Sequence, residues 1–321
     1  MKKIIALLAA LVLTLSLTAA FADGIKIAVP NDATNEGRAL LLLQAYGLLK
    51  VDEAAGITAT VKDITENPLN IEFVEVEAAL VPNALPDVDY AIINGNYALA
   101  AELPAALLYE NAESPYVNVI SVNEADKDSD KAKALAAAAL SQKVVDYFAS
   151  YEGQAISVVE NPTDGYDATV DYDALNGETI KVVATLDPHS FVLEIVKDIL
   201  AEKGINLEVT VVDDYVTPNT AVNDGDAFAN FFAHQPYQDD FNANNGTNLV
   251  TIAGVHVEPM GLYAGQQADL AALGLAELSS GFEDKGIREN PGCLFHRKKG
   301  LRFEAVSYYN RLYFGKTEAL T

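Results

Sequence analysis

Short β-branched runs alternate with helical stretches between residues 25 and 252, and this alternation restricts the chain more than any other feature. Strand candidates are residues 25–29, 71–76, 88–93, 117–122, 180–185, 207–212, 227–231 and 249–252. Helix candidates are 35–49, 78–85, 131–151, 189–203, 217–223 and 235–244. Such alternation predicts α/β lobes with largely parallel sheets. The stretch 151–177, "YEGQAISVVENPTDGYDATVDYDALNG", is rich in Asp, Gly and Tyr and has no helical period. It reads as a long linker, with a short hairpin, between two α/β blocks.

The first 22 residues carry Lys2 and Lys3, an apolar run from Ile4 to Leu17, and small residues ending in Ala20-Phe21-Ala22. That is the layout of a cleaved signal peptide, so the expectation is a periplasmic or secreted chain whose mature part begins at Asp23. One cysteine, Cys293, excludes an intramolecular disulfide. A formal net charge of −25 repels nucleic acid and anionic lipid. Residues 23–267 hold 11 Lys or Arg against 39 Asp or Glu, whereas 268–321 hold 8 against 7. The segment 266–321 is therefore expected to be an unrelated, poorly ordered tail.

Three stretches and the histidines offer chemistry. In "IKIAVPNDATNEGRALLLLQ" a strand ends at Pro30, and Asp32 or Thr34 caps the helix that follows. Arg38, the only arginine before residue 288, lies near the start of that helix. Its guanidinium suits bidentate pairing with a ligand carboxylate; an ordinary ion pair with one of many acids is the competing account. In "FANFFAHQPYQDDF" a strand end brings Phe232, His234 and Tyr237 together, either as a slot for an apolar or thioether side chain or as plain aromatic core. "IINGNYALA" places Asn94 and Asn96 at another strand end, as ligand amides or as a turn. His189, His234 and His256 show neither an i,i+4 His pair nor a cysteine partner, so no metal is assigned. No G-x-S-x-G nucleophile turn or phosphate loop occurs, and the chain is read as non-enzymatic and without cofactor.

Taken together, "PNDATNEGRALLLLQ", "ATVKDITENP", "INGNYALA", "DYVTPNTAVNDG", "NFFAHQPY", "NGTNLV" and "VHVEPMGLY" resemble the NlpA-type methionine-binding lipoproteins, the substrate-binding subunits of methionine ABC importers. The resemblance covers about residues 25–150 and 178–265. It implies an α/β, two-lobed, type II-like periplasmic-binding-protein fold with methionine or a related small amino acid in the cleft. Carried over by motif, Arg38 pairs with the carboxylate, Asn94 or Asn96 binds the polar end, and Tyr215, Phe232, His234 and Tyr237 line the side-chain pocket. Asn35 and His189 sit at the cleft edge in this picture.

The sequence departs from the family in three ways. The two blocks come in exchanged order, which implies a circular permutant: one lobe at 25–105, the other at 106–150 plus 178–265, and 151–177 joining the family's original ends. No cysteine follows the signal peptide, implying no lipid anchor. The tail after about Gln267 has no counterpart. The implied partners are the ABC transporter membrane subunits, with the chain itself a monomer. The alternatives are a zinc-binding importer subunit and a rearranged, non-functional remnant.

Overall fold

The computed structural model describes residues 24–110 and 115–275; the signal-peptide assignment and the segment after 275 lie outside the described residues. The first part of the chain comprises β1 (Lys26–Pro30), α1 (Ala33–Ala45), β2 (Lys50–Val51), β3 (Ile64–Glu66), β4 (Glu72–Val76), α2 (Val81–Ala84), β5 (Tyr90–Ile93), α3 (Gly95–Ala100) and β6 (Leu108–Tyr109). There follow β7 (Val117–Asn123), α4 (Asp130–Ala139), α5 (Gln142–Tyr147), β8 (Ile156–Ser157), α6 (Tyr172–Leu175), β9 (Thr179–Ala184), α7 (Phe191–Ala201) and β10 (Asn206–Val211). The last elements are α8 (Thr217–Asn223), β11 (Ala229–His234), α9 (Gln235–Asn245), β12 (Leu249–Val257) and β13 (Gly261–Ala264).

These strands build two main sheets, ordered β4-β1-β5-β13-β6 and β10-β9-β11-β7-β12-β8. In the first, β1 and β5 are apolar on both faces and so lie centrally, with α1 pressing Ala39, Leu40 and Leu43 onto Ile27 and Val29. Ala78 and Val81 cover the opposite face at Ala28, Ala91 and Ile93. In the second sheet, Leu135 of α4 and Val192, Leu193 and Val196 of α7 bury the face formed by Ile120, Val182 and Phe231.

The sheets are mixed, not largely parallel. β1 runs parallel to β4 and β5, but β13 is antiparallel to β5 and β6, and β7 is antiparallel to β11 and β12. The chain passes from the first sheet to the second between β6 and β7 and returns between β12 and β13, so the strands flanking the passages reverse direction.

The lobe boundaries shift accordingly. Leu108–Tyr109 and Gly261–Ala264, placed by the sequence reading in the second lobe, hydrogen-bond within the first sheet. The stretch 151–177 is not a free linker: β8 pairs with β12, and Ala155, Val170 and Leu175 are buried in the second core. The expected tail starts too early, because Leu270 and Leu273 are buried in the first core and the Tyr90 hydroxyl donates to the Asp269 carbonyl at 2.6 Å. The helix expected over 131–151 is broken where Ser141 caps α5, its hydroxyl accepting from the Val144 N–H at 3.4 Å.

Candidate functional site

The ends of β1, β5 and β11 converge on one pocket between the two sheets. Asn35, Arg38, Asn94, Asn96, Tyr215, Phe232, His234 and Tyr237, all expected from the sequence, line it together. His189 does not; it lies behind the wall, fully buried, with Nε2 3.1 Å from Oδ1 of Asn118, which does line the pocket. Its place behind the wall follows from β9 and β11 running parallel side by side, so that the loop after β9 packs its imidazole edge-on against Phe231.

The polar wall is ordered by a chain of hydrogen bonds starting at Asp32. Asp32 caps α1, accepting from the Asn35 backbone N–H at 3.0 Å and from Asn35 Nδ2 at 2.9 Å. Because Nδ2 is spent on that carboxylate, Asn35 Oδ1 must face the pocket as an acceptor, and it receives Asn94 Nδ2 at 2.7 Å and His234 Nε2 at 3.0 Å. His234 Nδ1 accepts from the Tyr237 N–H at 3.1 Å and thereby caps α9, so the proton sits on Nε2. Burial, reinforced by the Arg38 charge, holds this imidazole neutral, well below its usual titration range. Asn94 Oδ1 is left buried with no partner.

Arg38 is only 4% exposed, so it is not a surface arginine. Nε donates to Glu110 at 2.8 Å and Nη2 to the other Glu110 oxygen, with a further bond from Nη2 to the Glu258 carbonyl at 2.7 Å. The guanidinium also lies 4.3 Å from the centre of the Tyr116 ring. Burial is the largest influence and opposes the Arg38 charge, but Glu110 together with Tyr116 and Glu258 outweighs it and the pKa is raised. The protein thus supplies its own carboxylate to the fork, and Nη1 keeps its donors free of any hydrogen bond among the described residues.

The apolar wall is a ring cluster. Tyr215 stacks on Tyr97 at 5.0 Å between centroids and meets Phe232 and Tyr237 at 5.7 Å each. Bonds across the two sheets hold these groups: Tyr97 hydroxyl to the Asp213 carbonyl, 2.6 Å, and Tyr215 hydroxyl to Asn96 Oδ1, 2.7 Å. The cavity that these groups enclose measures only ≈ 10 Å³, so the site is drawn tight.

Sequence reasoning missed Tyr97, Tyr116, Asn118, Glu110 and Glu258. Glu258 and Tyr97 stood within the noted "VHVEPMGLY" and "INGNYALA" without being singled out, and the others carried no local signal. With His189 and His256, Glu258 forms a trio whose ligand atoms lie within 4.8 Å of one another. Burial pushes both imidazoles down to about 3. His256 Nδ1 has no hydrogen-bond partner, so the outer-shell bond that orients a metal-ligating imidazole is missing. The trio reads as a hydrogen-bonded cluster, and nothing favours the zinc alternative.

Comparison with known proteins completes the picture. The family model described as NlpA lipoprotein matches residues 14–159 and 180–277. Similar proteins include the probable D-methionine-binding lipoprotein MetQ of Vibrio cholerae, 50% identical over 34% of this chain and 41% of that one. The D-methionine-binding lipoprotein MetQ of Escherichia coli K12 is 44% identical over 38% of this chain and 47% of its own length. Among solved structures, a nutrient binding protein from Burkholderia cenocepacia bound to methionine is 55% identical over 25% of this chain and 34% of that one, with a TM-score of 0.24. The chain spans less than half the length of these curated relatives. They are named as binding proteins, not enzymes. They are also named as lipoproteins, which overturns the expectation of a chain released without a lipid anchor, while a periplasmic side agrees with them. The family match also reaches past Gln267, where the sequence reading ended the resemblance. As this match takes in well over half of the residues, the chain belongs to the NlpA lipoprotein family.

Proposed function

We propose that the chain captures methionine, or a closely related apolar amino acid, for the membrane subunits of an ABC importer. One observation carries the reading. The pocket joins a buried guanidinium, buried oxygen acceptors and an aromatic wall, which match the carboxylate, the amino group and the thioether of a single small ligand. In this reading Nη1 of Arg38 holds the carboxylate, and Asn94 and Asn96 face the polar end. Tyr215, Phe232 and Tyr237 enclose the side chain. Asn35 and His234 fix the Asn94 amide, and His189 fixes Asn118. The relatives' names, which print D-methionine, support the same ligand class.

The tightness of the pocket supports entry by separation of the lobes, with the Tyr97–Asp213 and Tyr215–Asn96 bonds broken on opening and remade on closure. The order of the two lobes along the chain is read as a circular permutation of the family order, and the binding chain as a monomer.

A thermal-shift titration of the purified chain with D- and L-methionine, other amino acids and divalent metals tests the proposal. The melting midpoint should rise with methionine concentration, about 2.7 kcal/mol of stabilisation being expected at a hundredfold excess over Kd. No rise with either enantiomer would sink it.

A further inference from the structure

We propose that closure of the two lobes expels a proton from His234, so that ligand capture is coupled to proton release and weakens in acid. The inference rests on reading the pocket as one that closes around an amino acid, and goes beyond it by naming the group that senses pH.

The first argument is the wiring of the ring. His234 ends β11 in the second lobe, and its polar partners lie on both sides of the cleft. Within its own lobe, Nδ1 accepts from the Tyr237 N–H at 3.1 Å. Across the cleft, Nε2 donates to Asn35 Oδ1 of α1 at 3.0 Å. Only the neutral ring protonated at Nε2 makes both bonds. A proton added at Nδ1 would face the Tyr237 N–H donor against donor and cancel the cap of α9. With the ring 5% exposed, solvent has little room to replace the lost bond.

The second argument is charge. Arg38 and His234 both rest on Tyr116, the guanidinium 4.3 Å from its ring centre and the imidazole at 4.9 Å between ring centres. A charged His234 would therefore set a second buried cation beside the first. The other titratable groups around the ring are Asp32, Tyr116, Tyr215, Tyr237 and Glu258. None of their side chains bonds a ring nitrogen, since the nitrogens are spent on Asn35 and the Tyr237 backbone. Asp32 is turned onto Asn35, Glu258 is bonded by His256, and burial keeps Tyr215 and Tyr237 protonated. When the lobes part, Asn35 and Arg38 leave with α1 and the ring meets water, where an imidazole titrates near ~6.5. His189 and His256 stay dry, because both pack on Phe231 inside the second lobe. Below that pH the open state holds the proton and the closed state does not, so closing releases it. Asp32 and Glu258 act with the opposite sign: burial raises both, so their contribution to closure is proton uptake.

Calorimetry of the full chain with D- and L-methionine tests this, at about pH 7.5 and 5.5 and in pairs of buffers that differ in ionisation enthalpy. Methionine is zwitterionic at both values, so a difference belongs to the protein. The tighter enantiomer should bind about tenfold more weakly at the lower pH, since only the unprotonated fraction of the open chain closes. About 0.9 proton should leave per ligand bound at pH 5.5 and about 0.1 at pH 7.5. His234→Asn, which caps a helix and does not titrate, should bind equally at both values whatever its absolute affinity. The proton count on the unaltered chain decides even if the variant does not fold. Equal affinity of the unaltered chain at the two values, net proton uptake at pH 5.5, or a folded His234→Asn that keeps the tenfold loss would overturn the proposal and leave the methionine reading standing. Absence of methionine binding at pH 7.5 would bring down both.

Discussion

Arg38 and Glu110 form a pair that neither residue would survive alone. With Arg38 4% exposed and both Nε and Nη2 donating to Glu110, removal of the guanidinium takes the countercharge from a carboxylate that also accepts the Met260 N–H. Arg38→Ala should therefore cost about 3–5 kcal/mol of stability, whereas the double change with Glu110→Gln should recover much of that loss, as read by urea melts. Equal losses in the single and double variants would show that the pair is not what is being broken. Arg38 was legible in the sequence because it stands alone for 287 residues of chain and opens a helix. Its partner, 72 positions away, had no such mark. Glu258 was invisible for the opposite reason: acids are mostly exposed, and only the return of β12 toward the first sheet turns this one inward. His189 was placed at the cleft edge because its motif suggested a ligand, but packing against Phe231 sets it behind Asn118.

At the scale of elements, α1 is held by its start and by a missing side chain. Asp32 satisfies the first turn, and Gly37 brings the helix against the turn Glu53–Thr58 so closely that a Cβ would sit 2.3 Å from the Ile57 carbonyl oxygen. Both sides of that contact are backbone and cannot give way cheaply. Gly37→Ala should lower stability by about 1–3 kcal/mol, against the gain of about 1 kcal/mol that alanine brings to an open helix position. A denaturant melt showing net stabilisation would contradict the close approach. The strands and helices with long periodic runs, such as β9, α7 and α8, were legible to within a few residues. α3 was not, because Asn94-Gly95 reads locally as a turn although its backbone opens a helix. β13 was also missed, since four residues carry too little period, and its pairing with β5 arises from a passage between sheets that no local pattern encodes.

At the scale of the whole molecule, the described residues bury their three histidines, and this gives stability a direction in pH. His189 and His256 are fully buried and titrate near 3, and His234 well below its ordinary value, burial being the leading cause in each case. An unfolded chain takes up protons at these rings near pH 6.5, whereas the folded chain does not. The unfolded state thus binds more protons between about pH 6.5 and the lower folded values, so stability is fully present above 6.5 and falls as the solution is acidified. Each ring contributes about 1 kcal/mol of loss between pH 7.5 and 5.5. Buried carboxyls act the other way: burial raises Asp32 and Glu258, so protonation in the folded state offsets part of the loss at lower pH. The melting midpoint should therefore fall clearly from pH 7.5 to 5.5 and more gently below that. Calorimetric melts at matched ionic strength would measure this. A midpoint that does not move between pH 7.5 and 5.5 would mean that the rings are not held neutral in the folded chain.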